Sequence, residues 1–275
     1  MKQLLVSGHG DIARRAERDL ERVFRLERLA RRFGRDLDRP ETLALEGAHA
    51  LLHCAPPPAN GDTDTRTANL LAALAKASIL PSRVVYVSTS GVYGDCGGEL
   101  VDELHPLAPR TSRAQRRADA ERQLTAWCTA RGAKLIVLRA PGIYAADRLP
   151  LERLRAGREV LREEDDVYTS HIHADDLAAI ICRALEDGAA EGVYNACDDT
   201  RMKMGDWLDL VADAAGLPRP PRVARAALAE PSDFMSESRR LDNRKLKREL
   251  RIRLRFPTVH EGLKHAHAAG AHQSA

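Results

Sequence analysis

Short apolar runs alternating with helical stretches through residues 1–144 predict an α/β fold, a doubly wound parallel sheet covered on both faces, with a smaller lobe built from later segments. Three observations carry this. The runs Lys2–Ser7, Ala50–Cys54, Arg83–Val87 and Leu135–Leu138 are apolar without alternation, as strands buried on both sides are. Between them lie stretches with helical spacing, such as Thr67–Ser78 with Leu70, Leu71, Leu74 and Ala75 on one face. The first run also passes directly into a glycine turn that opens a helix.

In order, Lys2–Ser7 is the first strand and Gly8-His9-Gly10-Asp11-Ile12-Ala13 the turn into the first helix. Ala50–Cys54 is stopped by Ala55 and three prolines, Pro56 to Pro58. Arg83–Val87 runs into the hydroxyl cluster Ser88-Thr89-Ser90 and then Gly91-Val92-Tyr93-Gly94. Ser112–Arg131 is a charged helix with a Leu124, Trp127 and Cys128 stripe. Leu135–Leu138 ends in Arg139-Ala140-Pro141-Gly142-Ile143-Tyr144. Residues 145–170 are polar, Asp175–Glu186 is amphipathic, and Gly192–Asn195 is strand-like. Residues 216–231 read as a proline-bearing loop, basic helical turns follow, and the tail after His265 is frayed. No internal repeat is present.

Composition excludes several classes. The 43 basic residues nearly match the 40 acidic ones, a net charge of +3 that argues against a dedicated nucleic-acid surface. No apolar stretch is long enough to span a membrane, and the amino terminus enters a strand without a signal-like region. Five scattered cysteines fit neither a disulfide framework nor a zinc spacing. A soluble, reduced, cytoplasmic protein is expected.

Gly8-x-Gly10-x-x-Ala13 follows a strand and opens a helix, the context in which this spacing binds a dinucleotide. The first glycine makes the turn, the second admits a pyrophosphate, and the small third residue lets helix and strand pack closely. An acid for the ribose is expected about 20 residues on, at the end of the second strand. Arg22–Glu27 reads as that strand, with Glu27 as the acid or Arg28 as a 2′-phosphate contact. Ile12 to Phe33 reads equally as one charged helix, with Ala16, Leu20, Val23 and Ala30 at helical spacing, leaving no second strand. NAD and NADP both remain open.

With the glycine turn and the Val92-Tyr93-Gly94 cluster in order, the chain resembles an atypical extended short-chain dehydrogenase/reductase of the NAD-dependent epimerase/dehydratase family. Gly34 to Asp38 is similar to the family's third-strand end, whose Asp, here Asp36 beside Leu37, faces the adenine. His53-Cys54-Ala55-Pro56 resembles the fourth-strand end that lines the cofactor, and Arg139 to Tyr144 the turn beside the nicotinamide, with Pro141 and Ile143 at the cofactor. His171–Asp176 resembles the segment where the chain returns to the main domain, and Asn243–Leu250 with Phe256-Pro257 the carboxy-terminal helix and its exit. The resemblance implies a Rossmann-type NAD(P)-binding domain over residues 1–144 and 171–197. It implies a substrate lobe over 145–170 and 198–265, a tail over 266–275, a small-molecule substrate such as a sugar nucleotide, and a homodimer through the Thr67 and Ser112 helices.

The chain departs from this family where catalysis is expected. The family's proton transfer uses a Ser/Thr hydroxyl, a Tyr, and a Lys four residues later that lowers the phenol's pKa. Thr89, with Ser88 beside it, supplies the hydroxyl, but the Tyr and Lys positions fall on Arg113 and Arg117, and no tyrosine occurs from Ala108 to Arg131. An arginine does not shuttle protons near neutral pH. Arg117 is expected at the nicotinamide ribose, and Arg113 either holds an anionic substrate group or faces solvent. Ser90, Tyr93 and Tyr144 are the expected substrate contacts, and Tyr93, Tyr144 and Tyr168 the tyrosines within reach of the site. Ser90-Gly91 replaces the Asp-Glu pair that sugar-nucleotide dehydratases use after the hydroxyl. The expected function is an NAD(P)-dependent oxidoreductase or epimerase; the alternative is a catalytically silent dinucleotide-binding or redox-sensing module.

Other candidates carry plainer readings. Asp102, Glu103 and His105 suit a substrate loop or a solvated one. His171-x-His173-x-Asp175 has ligand-like side chains, but the resemblance makes it a structural junction, and no metal is assigned. Cys96 has no base at a recognisable spacing. The basic run Arg239 to Arg255 suits a phosphate or a solvated helix face, and its interruption by Glu237, Asp242 and Glu249 favours the solvated face.

Overall fold

A computed structural model describes residues 1–228 and 235–264. Its centre is a six-stranded, all-parallel sheet of β1 (Lys2–Ser7), β2 (Phe24–Leu29), β3 (Ala50–His53), β4 (Arg83–Thr89), β5 (Lys134–Ala140) and β8 (Gly192–Asn195), in the order β2-β1-β3-β4-β5-β8. Two further short strands, β6 (Gly142–Tyr144) and β7 (His171–His173), pair in parallel beyond the sheet's carboxyl edge.

Side-chain parity sends alternate residues of each strand to opposite faces. On one face, Leu4, Val6, Leu52, Val85 and Val87 pack with α1 (Asp11–Leu20) and α4 (Ala174–Leu185). On the other, Leu5, Leu51, Val84, Tyr86 and Val137 pack with α2 (Thr65–Leu74) and α3 (Ser112–Arg131). A third apolar cluster, away from the sheet, joins Tyr144, Val160, Leu161 and Val167 to Trp207 and Val211 of α5 (Met204–Ala215), and to Val259 and Leu263. The carboxy-terminal α6 (Arg244–Glu249) returns to β8, where Leu246 and Leu250 join the first cluster.

The structure decides between the two readings of residues 12–33. The helix stops at Leu20, Val23 is 60% exposed, and Phe24–Leu29 pairs with β1 from Lys2↔Phe24 to Ser7↔Leu29. The second strand is present. The expected third-strand end at Gly34–Asp38 is corrected. Among the described residues no strand lies between Leu29 and Ala50, where a 3-10 turn at Arg31–Phe33, left-handed Gly34 and a 3-10 turn at Pro40–Thr42 fill the chain. His53 therefore ends the third strand, not the fourth, and β2 is left at the sheet edge. Too few residues separate β2 from β3 to cross the sheet and return. The expected tail lies outside the described residues.

Candidate functional site

Two cavities open along the carboxyl edge of the sheet. The first, about 310 Å³, lies at the ends of β1, β2 and β3 and is lined by Gly8, His9, Gly10, Asp36, Leu37, Cys54, Ala55 and Pro56, all expected cofactor residues. Gly8 is obligatory there: its φ is +84°, and a Cβ would sit 2.2 Å from the Ala55 nitrogen. Its N–H donates to the Leu29 carbonyl (3.0 Å), and the Cys54 N–H to that of Ser7 (2.7 Å), tying the three strand ends together. Gly10 is the extended N-cap of α1, no side chain caps the helix, and a Cβ at Gly10 would meet nothing within 4 Å. The N-terminus of α1 is thus left without a capping side chain, as an anion site requires. Ile12 and Ala13 turn their side chains into the core, and Asp11 pairs with Arg15 (3.1 Å) and Arg148 (3.0 Å).

The same cavity holds four residues the sequence reading missed: Arg31, Arg32, Arg35 and Arg66. Glu27 and Arg28, the expected ribose acid and 2′-phosphate contact, do not line it. Glu27 accepts from Gln3 (2.7 Å) and pairs with Arg35, while Arg28 is held by Glu17 and Glu21. The strand runs to Leu29, two residues beyond the expected end, so the position after it falls on Ala30, followed by Arg31 and Arg32. Matching β2 residue for residue to the six of β1 would have found this. Arg66 is engaged bidentately by Asp38 (2.7 and 2.6 Å), Arg31 lies within the electrostatic reach of Asp38, and Arg32 meets the Nδ1 of His9. Burial lowers the pKa of His9, partly opposed by Glu17.

The second cavity, about 470 Å³, takes Thr89, Ser90 and Arg113 on one side and Pro141, Ile143 and Tyr144 on another. It also takes Tyr168, Glu237 and Arg239 from the start of the basic run, and residues the sequence did not single out: Arg148, Arg153 and Trp207. The Thr89 Oγ1 accepts from the Gly91 N–H (3.2 Å). His171, 3% exposed, packs at a tilt against Trp207 (centroids 4.3 Å apart), and burial pushes its pKa down to about 3, so the ring is neutral. Burial raises the pKa of Tyr144, whose hydroxyl points to the Thr258 carbonyl (3.4 Å).

Ser88 and Tyr93 are corrections. Parity carries Ser88 to the α3 face, where its hydroxyl donates to Glu121. Glu121 pairs with Arg139 (2.7 Å), Arg139 donates to the Tyr93 hydroxyl (2.9 Å), and Tyr93 donates to Asn195 (2.8 Å). Tyr93 is 1% exposed, and burial pushes its pKa to about 12 against the pull of Arg139. Neither residue lines the second cavity. Glu103 extends the network by accepting from the Asn195 N–H (2.8 Å), and the His105 ring meets that of Tyr93 edge-on.

Arg117 is buried with its Nη1 donating to the carbonyls of Val87 (2.9 Å) and Ala55 (3.3 Å) and to the Tyr86 hydroxyl (3.0 Å), and it lines neither cavity. It bolts α3 to the ends of β3 and β4. Arg113, one turn earlier, reaches the second cavity. His173 accepts from the Asp175 N–H (3.2 Å) as the cap of α4, and among the described residues no group of three or more potential metal ligands converges. The basic run is divided among partners: Arg239 with Glu237, Arg244 with Asp242, Lys247 with Asp199. No described helix is long and apolar enough to cross a membrane.

Against known proteins, the model of the NAD dependent epimerase/dehydratase family matches residues 60–197, half of the chain. The GDP-6-deoxy-D-mannose reductase of Pseudomonas aeruginosa is 29% identical over 165 residues, 54% of this chain and 54% of that protein, so the chain spans about half the length of this curated relative. Among solved structures, a functionally unknown conserved protein from Silicibacter pomeroyi is 30% identical with a TM-score of 0.76, covering 98% of this chain and 99% of that one. RMD from Pseudomonas aeruginosa, solved with NADPH, is similar in fold at 20% identity and a TM-score of 0.76, covering 98% of each chain.

Proposed function

Because the chain belongs to the NAD-dependent epimerase/dehydratase family, we propose that it is an NADP(H)-binding oxidoreductase of that family. The observation that carries the choice of cofactor is the end of β2. An NAD site offers a carboxylate to the ribose diol there, whereas this chain offers Ala30 and then Arg31 and Arg32. A 2′-phosphate would meet two guanidinium groups there, with Ala30 standing in the place of the ribose acid. The pyrophosphate would lie on the free amides of α1 across Gly8 and Gly10, and the nicotinamide would extend past Pro141 and Ile143 into the second cavity. When bound, the nicotinamide supplies the hydride chemistry. Thr89 orients the substrate oxygen beside it.

Residues 1–144 and 171–197 would then hold the cofactor, and 145–170 with 198–265 the substrate, whose family precedent is a sugar nucleotide. A homodimer through α2 and α3 follows from family analogy alone. Five free cysteines support a reducing, cytoplasmic setting.

Titration of the protein with NADPH and NADH tests the reading: NADPH should bind at least about tenfold more tightly, the worth of one charge-assisted phosphate contact. Failure of either nucleotide to bind at millimolar concentration sinks it. A second reading, a silent dinucleotide-binding or redox-sensing module, is favoured by one observation: Arg113 and Arg117 stand where proton transfer is expected. Turnover with a panel of carbonyl compounds and sugar nucleotides, lost in Thr89→Ala, would eliminate that reading.

A further inference from the structure

Four arginines and one glutamate line the second cavity, and their partners differ. Arg148 pairs with Asp11 (3.0 Å), Arg153 donates to the Glu159 carbonyl (2.7 Å), and Arg239 donates to the Gly94 carbonyl (2.6 Å) and Glu237 (2.7 Å). Arg113 has no such partner among the described residues. Its side chain is exposed at this cavity, and partial desolvation, together with the like-signed charges of its neighbours Arg117 and Arg116, lowers its pKa. The glutamate has the opposite deficit. Glu237 has a side chain 7% exposed and gives one carboxylate oxygen to Arg239, but its Oε1 is buried and accepts from no described group. The Nδ1 of His171, a neutral ring on the same cavity wall, is likewise buried and unpartnered. A buried polar atom left unpaired costs about 1–3 kcal/mol, so a ligand that pairs it is favoured.

A ligand satisfying these groups needs an oxyanion for Arg113 and a hydroxyl that donates to Glu237. We propose that the second cavity binds a small polyhydroxy compound bearing a carboxylate or phosphate, with the anion on Arg113 and a hydroxyl on the Glu237 Oε1. The proposal rests on the cofactor reading above, since it sets this compound beside Thr89 as the substrate. It assigns Arg113 a binding role at the position vacated by the tyrosine, consistent with a group that holds charge and moves no proton.

Calorimetric titration of the protein saturated with NADPH tests it, with D-gluconate, glucose 6-phosphate, glucose and hexanoate as probes. Gluconate or glucose 6-phosphate should bind at least about tenfold more tightly than both glucose, which lacks the anion, and hexanoate, which lacks the hydroxyls. Which of the two binds better distinguishes carboxylate from phosphate. Arg113→Gln, an exposed position, should weaken the better anion by about tenfold or more and leave NADPH affinity unchanged. Glucose or hexanoate binding as tightly as the anionic sugars, an unaffected Arg113→Gln, or no probe binding at about 10 mM would each overturn the proposal. Absence of NADPH binding in the preceding titration would instead mark failure of the cofactor reading.

Discussion

Glu121 and Arg139 show how a single buried pair organises the ends of β4, β5 and β8. Their side chains are 8% and 6% exposed, and between them they anchor Ser88, Tyr93 and, through Tyr93, Asn195. Removing one partner leaves the other charge buried and uncompensated. Arg139→Met should therefore cost about 3–5 kcal/mol in chemical denaturation, whereas Glu121→Leu with Arg139→Met together should recover much of that loss. A double variant no more stable than Arg139→Met would mean the pair is not coupled. The strand pattern holds half of this information. Residues 84, 86 and 88 share one face of β4 and residues 85, 87 and 89 the other, so Ser88 and Thr89 were never equivalent. What the pattern lacks is the acid opposite Ser88, which comes from another element.

Among the elements, β2 was the hardest to read. It is an edge strand, and its Arg25, Glu27 and Arg28 give it the charge of an exposed helix face. Only pairing to β1 separates the two readings, and that pairing is tertiary. The turn before α1 was the easiest, because Gly8 is required by the geometry it creates. Gly8→Ala should lower stability by at least about 2 kcal/mol, from the positive φ and the clash with Ala55, and should abolish NADPH binding. A variant that melts and binds like the parent would show that the turn is looser than described.

At the scale of the molecule, the carboxy-terminal segment closes over a patch of acids. Asp176 accepts from the N–H groups of Arg255 (2.7 Å) and Phe256 (2.9 Å), and Thr200 accepts from that of Val259 (2.9 Å). Burial beneath this segment pushes the pKa of Asp198 up to about 7, although the Thr200 amide bonds one of its oxygens. The folded state therefore keeps a proton on Asp198 that the unfolded chain releases at the ordinary carboxyl value. That contribution is complete below the unfolded pKa and is lost as pH rises towards 7. His53 and His171, both held near 3 by burial, act oppositely, since the unfolded chain takes up their protons as pH falls below the usual histidine value. Comparison with Asp198→Asn isolates the carboxyl: between about pH 4 and 7 the parent should lose on the order of 1–3 kcal/mol relative to the variant. Parallel stability curves would reject a buried, protonated Asp198.

The sequence by itself determined five of the six parallel strands and the glycine turn, because burial on both faces and backbone sterics leave local signatures in residue type. It also sets Arg113 and Arg117 where the family resemblance leads one to expect the proton-transfer pair. Tertiary structure decided which of these groups share a cavity. It turned Ser88, Tyr93 and Arg117 inward, gave Arg113 to the second cavity, and brought Arg31, Arg32, Glu237 and Arg239 to the two cavities from segments outside the strand-end motifs. The physical reason is that a side chain's partners are set by strand order and chain return, and neither is written in the spacing of neighbouring residues.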